Sequence, residues 1–214
     1  MLASPAGMPE RGRLITIEGL DGAGKTTVAT ALVAHLAERG VDVKALREPG
    51  GVPAAERIRA LVKDPEARIG SRGEALLYAA ARAQLVEEAI EPLLAGGTWI
   101  VLDRFVDSSL AYQGVGRALG VTEVRAVNAF ATGGLRPDRT LLLEIDPALG
   151  RERTASRGEL ADRLELEGED FFERIATAYR RLADAEPDRF RTIDATQPQA
   201  AVLDAAVEAI DDLA

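Results

Sequence analysis

Short apolar runs alternate with segments of helical period along nearly the whole chain. Residues 13–18 (RLITIE) have the make-up of a buried strand, and a glycine turn leads from them into a helix from about Lys25 to Arg39. Gly40 stands where a C′ glycine ends a helix. Residues 41–46 read as a second strand, followed by a Glu48-Pro49-Gly50-Gly51 loop. A helix near Ala54 to Val62 comes next, then a longer one from about Gly73 to Leu94. Residues 98–102 (TWIVL) form a third strand with Asp103-Arg104 at its carboxyl end, and residues 139–145 (RTLLLEI) and 191–193 supply a fourth and a fifth. Apolar strands separated by helices mean βαβ units, so the expected fold is α/β: a doubly wound, mainly parallel, five-stranded sheet with helices on both faces. In such sheets ligands lie beyond the carboxyl ends of the strands.

Length and composition leave that picture intact. The 214 residues suit one domain, expected over 13–214, with residues 1–12 as a loose tail in which Met8 competes with Met1 as the start. No apolar stretch approaches the roughly 18–20 residues of a membrane span, and the amino terminus lacks a signal-peptide core. With no cysteine there is neither a disulfide framework nor a thiolate metal site, and a cytoplasmic protein is expected. A net charge of −9 argues against a nucleic-acid or anionic-membrane partner, although a phosphate ligand needs only local donors. Of 26 basic residues only Lys25, Lys44 and Lys63 are lysines, so an isolated arginine carries little information here.

The strongest chemical signal is Gly19-Leu20-Asp21-Gly22-Ala23-Gly24-Lys25-Thr26, a match to G-x-x-x-x-G-K-[ST] lying between a strand and a helix. Its glycines let successive amides turn inward around an anion, and the helix start adds its positive end. Lys25 reaches the β- and γ-phosphates of ATP in such a loop, Thr26 places a hydroxyl on Mg²⁺, and Gly19 through Thr27 are the residues expected to bind the cofactor ATP. No guanine-reading N-K-x-D is present, and the chain is short for a motor or transporter module. Small-molecule kinases remain.

Two other strand ends carry suitable groups. Arg47, before Glu48-Pro49-Gly50-Gly51, can present a fork to an acceptor phosphate or form a structural salt bridge. Asp103 can hold Mg²⁺ through water, and Arg104 can grip a second phosphate. Beyond them, residues 108–114 (SSLAYQG) offer hydroxyl, phenol and amide groups suited to a base and a sugar.

At this point the chain closely resembles thymidylate kinases of the bacterial type. The matching segments are residues 17–27 (IEGLDGAGKTT), 47–51 (REPGG), 78–87 (YAAARAQLVE), 103–105 (DRF), 111–114 (AYQG), 136–138 (RPD) and 157–163 (RGELADR), in the family's order. The resemblance implies ATP as donor, Mg²⁺ as cofactor, dTMP as acceptor and a homodimer. It implies that Arg47 and Arg104 bind the acceptor phosphate, that Arg82 meets the thymine O4, and that Ser109 meets the N3 edge with Gln113 assisting. Tyr78 would stack on the base, where the family usually has phenylalanine, and Tyr112 would lie near C2′ and disfavour ribonucleotides. Asp21 would hold the sugar or an acceptor-side metal. Residues 151–166 would form an arginine-rich lid whose Arg157 and Arg163, with Arg153 next, supply charge to the transferring phosphate. Ala155 replaces an arginine of some relatives, and one residue is inserted before Asp162. Two rivals stand beside this reading: a kinase for another nucleoside monophosphate, and a nucleotide-binding regulator without turnover.

Overall fold

Five strands, β1 (Leu14–Gly19), β2 (Val43–Arg47), β3 (Trp99–Asp103), β4 (Arg139–Glu144) and β5 (Phe190–Asp194), form one parallel sheet of order β2–β3–β1–β4–β5. The structure is a computed structural model that describes residues 10–156 and 162–213. The chain runs to one side of β1 for β2 and β3 and to the other for β4 and β5, which opens a crevice beyond the end of β1. β1 is buried throughout because neighbours cover both its edges and helices cover both its faces. Ile15 and Ile17 join one core cluster with Leu141, Ile175 and Tyr179, whereas Leu14 joins another with Leu85, Ile100 and Phe105. That alternation is the two-residue period of a strand with apolar layers on both sides.

The helices are α1 (Lys25–Glu38), α2 (Pro53–Lys63), α3 (Ser71–Leu85), α4 (Glu91–Ala95), α5 (Val106–Ser109), α6 (Val121–Ala131), α7 (Pro147–Ala155), α8 (Glu169–Ala185) and α9 (Gln199–Glu208). The doubly wound architecture agrees with the expectation, and so do most element positions. Three local differences have physical causes. β2 starts at Val43 rather than Val41, because the Val41 amide still bonds back to the Leu36 carbonyl at the end of α1. The long helix expected over 73–94 is interrupted by a π turn at Val86–Ile90 that joins α3 to α4. It directly precedes Pro92, which has no amide to continue the α ladder. At the amino terminus, order begins before residue 13: the Gly12 amide donates to the Leu94 carbonyl and Arg11 pairs with Asp138 at 3.1 Å. The rest of the expected tail, residues 1–9, lies outside the described residues.

α7 enters directly against the turn that follows β1. Gly22 has φ +82°, and a Cβ there would lie 2.2 Å from the Gly150 carbonyl oxygen, while a Cβ on Gly150 would lie 2.7 Å from the Asp21 carbonyl. Neither contact is to a flexible side-chain end, so two backbones must yield if either glycine is replaced. Gly150→Ala is therefore expected to lower stability by about 1–3 kcal/mol, the usual range for overpacking. Urea denaturation checks this, and an unchanged midpoint would show that α7 moves freely.

Candidate functional site

The crevice is a cavity of about 680 Å³ lined from the ends of β1, β2 and β3 and from α1, α3 and the segment after α5. Its floor is the turn after β1. Gly19, Gly22 and Gly24 have φ of +136°, +82° and +94°, conformations that side-chained residues rarely adopt, and they let the turn wrap closely before α1 begins. Leu20 and Ala23 face the core, and the Ala23 amide closes the turn on the Leu20 carbonyl. Lys25 is buried and folds back so that its Nζ donates to the carbonyls of Gly19 (3.2 Å) and Leu20 (2.9 Å) and lies 3.5 Å from Asp21. Burial pushes its pKa down, the Arg104 cation adds to that effect, and Asp21 and Asp103 oppose it. The Thr26 hydroxyl donates to Asp103 Oδ2 at 3.0 Å, so two oxygen groups from α1 and β3 converge at the mouth, and Thr27 is exposed beside them.

Arg104 crosses the cavity from the other side. It has φ +68°, which costs a residue with a Cβ roughly 1–2 kcal/mol, and this turns its side chain back towards the β1 loop. Its guanidinium donates to Asp21 Oδ1 (2.6 Å), the Gly19 carbonyl (3.0 Å) and Ser108 Oγ (3.1 Å) and sits 5.2 Å from the centre of the Tyr112 ring. Burial alone would raise Asp21, but Arg104 and Lys25 outweigh it and hold this carboxyl well below the usual range. Asp21 therefore stays ionised at any working pH.

The inner wall is built by α3 and by a π turn at Leu110–Gly116, a widened geometry often found at functional sites. Tyr112 and Gln113 lie in that turn and are buried, as is Ser109 just before it. Arg82 is fully buried: it donates to Glu48 Oε2 (2.7 Å), Ser109 Oγ (2.9 Å), the Phe105 carbonyl (2.9 Å) and Asn128. Burial pushes the Glu48 carboxyl up while Arg82 holds it down. Tyr78, four residues before Arg82 on the same helix face, also lines the cavity, and burial together with Glu74 and Asp162 raises its phenol.

Thus Asp21, Gly22, Gly24, Lys25, Thr26, Thr27, Arg47, Tyr78, Arg82, Asp103, Arg104, Ser109, Tyr112 and Gln113 of the residues expected at the site surround one crevice, whereas Gly19, Leu20 and Ala23 shape the turn from behind. Arg47 is exposed and ion-paired with Glu56 at 3.1 Å, the structural alternative left open for it. Two of the arginines expected in the lid are engaged away from the turn. Arg163 pairs with the buried Glu74 at 2.7 Å, and its Nε donates to the Val62 carbonyl. Arg153 donates to the Ala195 carbonyl. Arg157 lies outside the described residues.

Several participants escape a reading by motif. Glu74 accepts from Gln113 and Arg117 as well as pairing with Arg163, and it shares a helix face with Tyr78 and Arg82. Lys63 pairs with Asp162 at 2.8 Å, which ties the chain at residue 162 to the end of α2. Asn128 of α6 and Tyr179 of α8 reach in from helices whose spacing says only that they are amphipathic. Glu18 did leave a trace, as a carboxylate inside an otherwise apolar strand.

Comparison with known proteins agrees with this arrangement. A family model described as thymidylate kinase matches residues 17–206. Thymidylate kinase of Halorhodospira halophila is 45% identical over 208 residues, covering 96% of this chain and 97% of its own. That of Alkalilimnicola ehrlichii is 47% identical over 201 residues, covering 94% and 93%. That of Deinococcus radiodurans is 49% identical over 189 residues, covering 88% and 91%.

The Arg82–Glu48 pair offers a direct test of the inner wall. Removing one member of a buried pair leaves the other charge without a partner, at a cost of about 3–5 kcal/mol. Glu48→Ala is expected to lose stability in that range in urea denaturation. A loss below about 1 kcal/mol would mean that Arg82 is satisfied by Ser109, Asn128 and Phe105 alone.

Proposed function

The chain belongs to the thymidylate kinase family, and we propose that it moves the γ-phosphate of ATP onto the 5′-phosphate of dTMP to give dTDP. The observation that carries this reading is the meeting of Arg104 with the Lys25 loop at Asp21 in a cavity whose inner wall holds the buried polar side chains of Arg82, Ser109 and Gln113.

In this proposal the amides of residues 19–27 and Lys25 hold the donor phosphates, and Arg104 and Arg47 hold the acceptor phosphate. Arg104 then exchanges part of its bond to Asp21 for the incoming anion, and Arg47 does the same with Glu56. An acceptor oxygen forms a bond to the γ-phosphorus as the bond from the β–γ bridging oxygen breaks, and the leaving electrons stay on ADP. The acceptor phosphate is already anionic, so no side chain has to remove a proton, and the protein mainly positions the partners and supplies charge. Arg82, Ser109 and Gln113 would read the edge of the base, Tyr78 would stack on it, and Tyr112 would crowd C2′. Arg157 and Arg163, with Arg153 next, are the lid arginines that would supply charge to the transferring phosphate, and Arg163 and Arg153 would first have to leave Glu74 and the Ala195 carbonyl.

Magnesium fits the donor set. Thr26 and Asp103 offer hard oxygen atoms already 3.0 Å apart, with Asp21 ionised nearby, and Mg²⁺ commonly takes one or two protein oxygens along with water and phosphate. When bound it would neutralise charge between the donor phosphates. We place the reaction in the cytoplasm, where ATP and nucleoside monophosphates are both available, with no nucleic-acid or membrane partner. No described helix is long and apolar enough to cross a membrane.

A homodimer belongs to the same proposal. Phe130 of α6 is 93% exposed and Leu76 of α3 58%, and α3 packs on both α6 and α2, where Leu61 is also exposed. Apolar side chains on adjoining helices suit a self-complementary interface.

ADP formation from Mg·ATP with dTMP, dUMP, dCMP, UMP, AMP, GMP or no acceptor tests the chemistry. Strong turnover with dTMP and weak turnover with ribonucleotides is expected, and Arg104→Ala should lose most dTMP turnover while keeping ATP binding within about twofold. Equal ADP release in every well, including the blank, would replace this reading with an ATPase or a nucleotide-driven regulator. Light scattering tests the assembly: wild type should run at twice the chain mass and Phe130→Glu at one. A monomeric wild type would reject the dimer.

A further inference from the structure

Arg104 is the residue on which acceptor binding turns in the reading above, yet its backbone is left-handed and its side chain is long. Some neighbour must offset that strain and hold the guanidinium in one place. The contacts around Glu18 supply a candidate. Glu18, next to last in β1, has no exposed surface. One oxygen accepts the amides of Phe105 (2.8 Å) and Ser108 (3.3 Å), which fixes the chain immediately after Arg104. The other accepts the hydroxyls of Ser108 (2.6 Å) and Tyr179 (3.0 Å).

The direction of those two hydroxyl bonds matters. A serine or tyrosine hydroxyl has one proton, and an ionised carboxylate can only accept. The two hydroxyl oxygens also lie 2.9 Å apart, so the Tyr179 proton goes to Glu18 or to Ser108 Oγ; with the Ser108 proton on Glu18, both oxygens keep a lone pair for Arg104 Nη1, which lies 3.1 Å from the first and 3.4 Å from the second. One buried carboxylate thus sets both the backbone beyond Arg104 and the polarity of the hydroxyls that face its guanidinium. We propose that Glu18 is a positioning residue for acceptor binding, orienting Arg104 through Ser108 and Tyr179 without touching the substrate.

The electrostatics around Glu18 support the idea and give it a signature. Burial pushes its carboxyl up to about 7, Asp107 of α5 adds to that, and Ser108, Arg104 and the Phe105 amide hold it down. Lys25 of α1 and Tyr179 of α8 are the other titratable groups that face it. Once protonated, Glu18 becomes a donor and the pattern of hydroxyl protons has to reverse. A glutamine imitates that protonated form, because its amide NH₂ also donates.

The test measures binding of dTMP and of ATP by calorimetry, with thermal unfolding, for wild type, Glu18→Gln and Ser108→Ala between pH 6 and pH 8. Glu18→Gln is expected to weaken dTMP about tenfold at pH 8, with ATP within about twofold of wild type. The gap should shrink towards pH 6, where wild type is itself protonated. Ser108→Ala, which keeps the carboxylate and removes the bridging acceptor, should weaken dTMP several-fold at pH 8. Equal dTMP affinity of Glu18→Gln and wild type at pH 8, or an equal loss for ATP, overturns the proposal. If Glu18→Gln does not fold, Ser108→Ala decides by the same criterion. The inference rests on the kinase reading, and the two fail separately: wild-type dTMP affinity reports on that reading, and the variant-to-wild-type ratio reports on Glu18.

Discussion

A cavity that is to hold two phosphorylated ligands must gather cations, and cations gathered out of water repel one another and lose their hydration. Among the described residues, buried cations in and around the site are paired with carboxylates: Asp21 with Arg104 and Lys25, Glu48 with Arg82, and Glu74 with Arg163 and Arg117. Without them the empty crevice would carry unpaired charge at a cost of several kcal/mol per ion. The matching also sets the price of ligand binding. Fully enclosed pairs such as Arg82–Glu48 act as fixed architecture, whereas Asp21 and Glu56 lie partly open to water and can share their arginines with an incoming phosphate.

The parallel sheet explains why these groups meet at all. Every strand of such a sheet ends on the same edge, so the loops after β1, β2 and β3 open side by side although they lie far apart in the chain. Geometry at those ends then departs from the regular. Five glycines (Gly19, Gly22, Gly24, Gly50 and Gly51) and Arg104 take positive φ, and a π turn carries Tyr112 and Gln113. The irregular residues stand between paired strands and helices, and that surrounding order keeps the strained conformations in place.

The π turn at Leu110–Gly116 and the segment after residue 162 share a carboxylate of α3. Glu74 binds Gln113 on one side and Arg163 on the other, and Lys63 holds Asp162 at the end of α2.

The amino-acid sequence alone determined the strand–helix alternation, the parallel sheet and the phosphate loop. Each of these rests on short-range chemistry: apolar period, glycine freedom, and a lysine and threonine at set spacing. The family resemblance added the acceptor residues by position, and the crevice does collect Arg82, Arg104, Ser109, Tyr112 and Gln113. What only the tertiary structure decided was partnership. Arg163 and Arg153 look alike in a basic stretch, yet one faces Glu74 and the other a carbonyl of the loop after β5. Glu18, Asn128 and Tyr179 belong to no phosphate motif, and they matter because the fold carries β1, α6 and α8 to the same two arginines. Spacing along a chain reports which face of an element a residue occupies, but the atom waiting opposite is set by how separate elements pack.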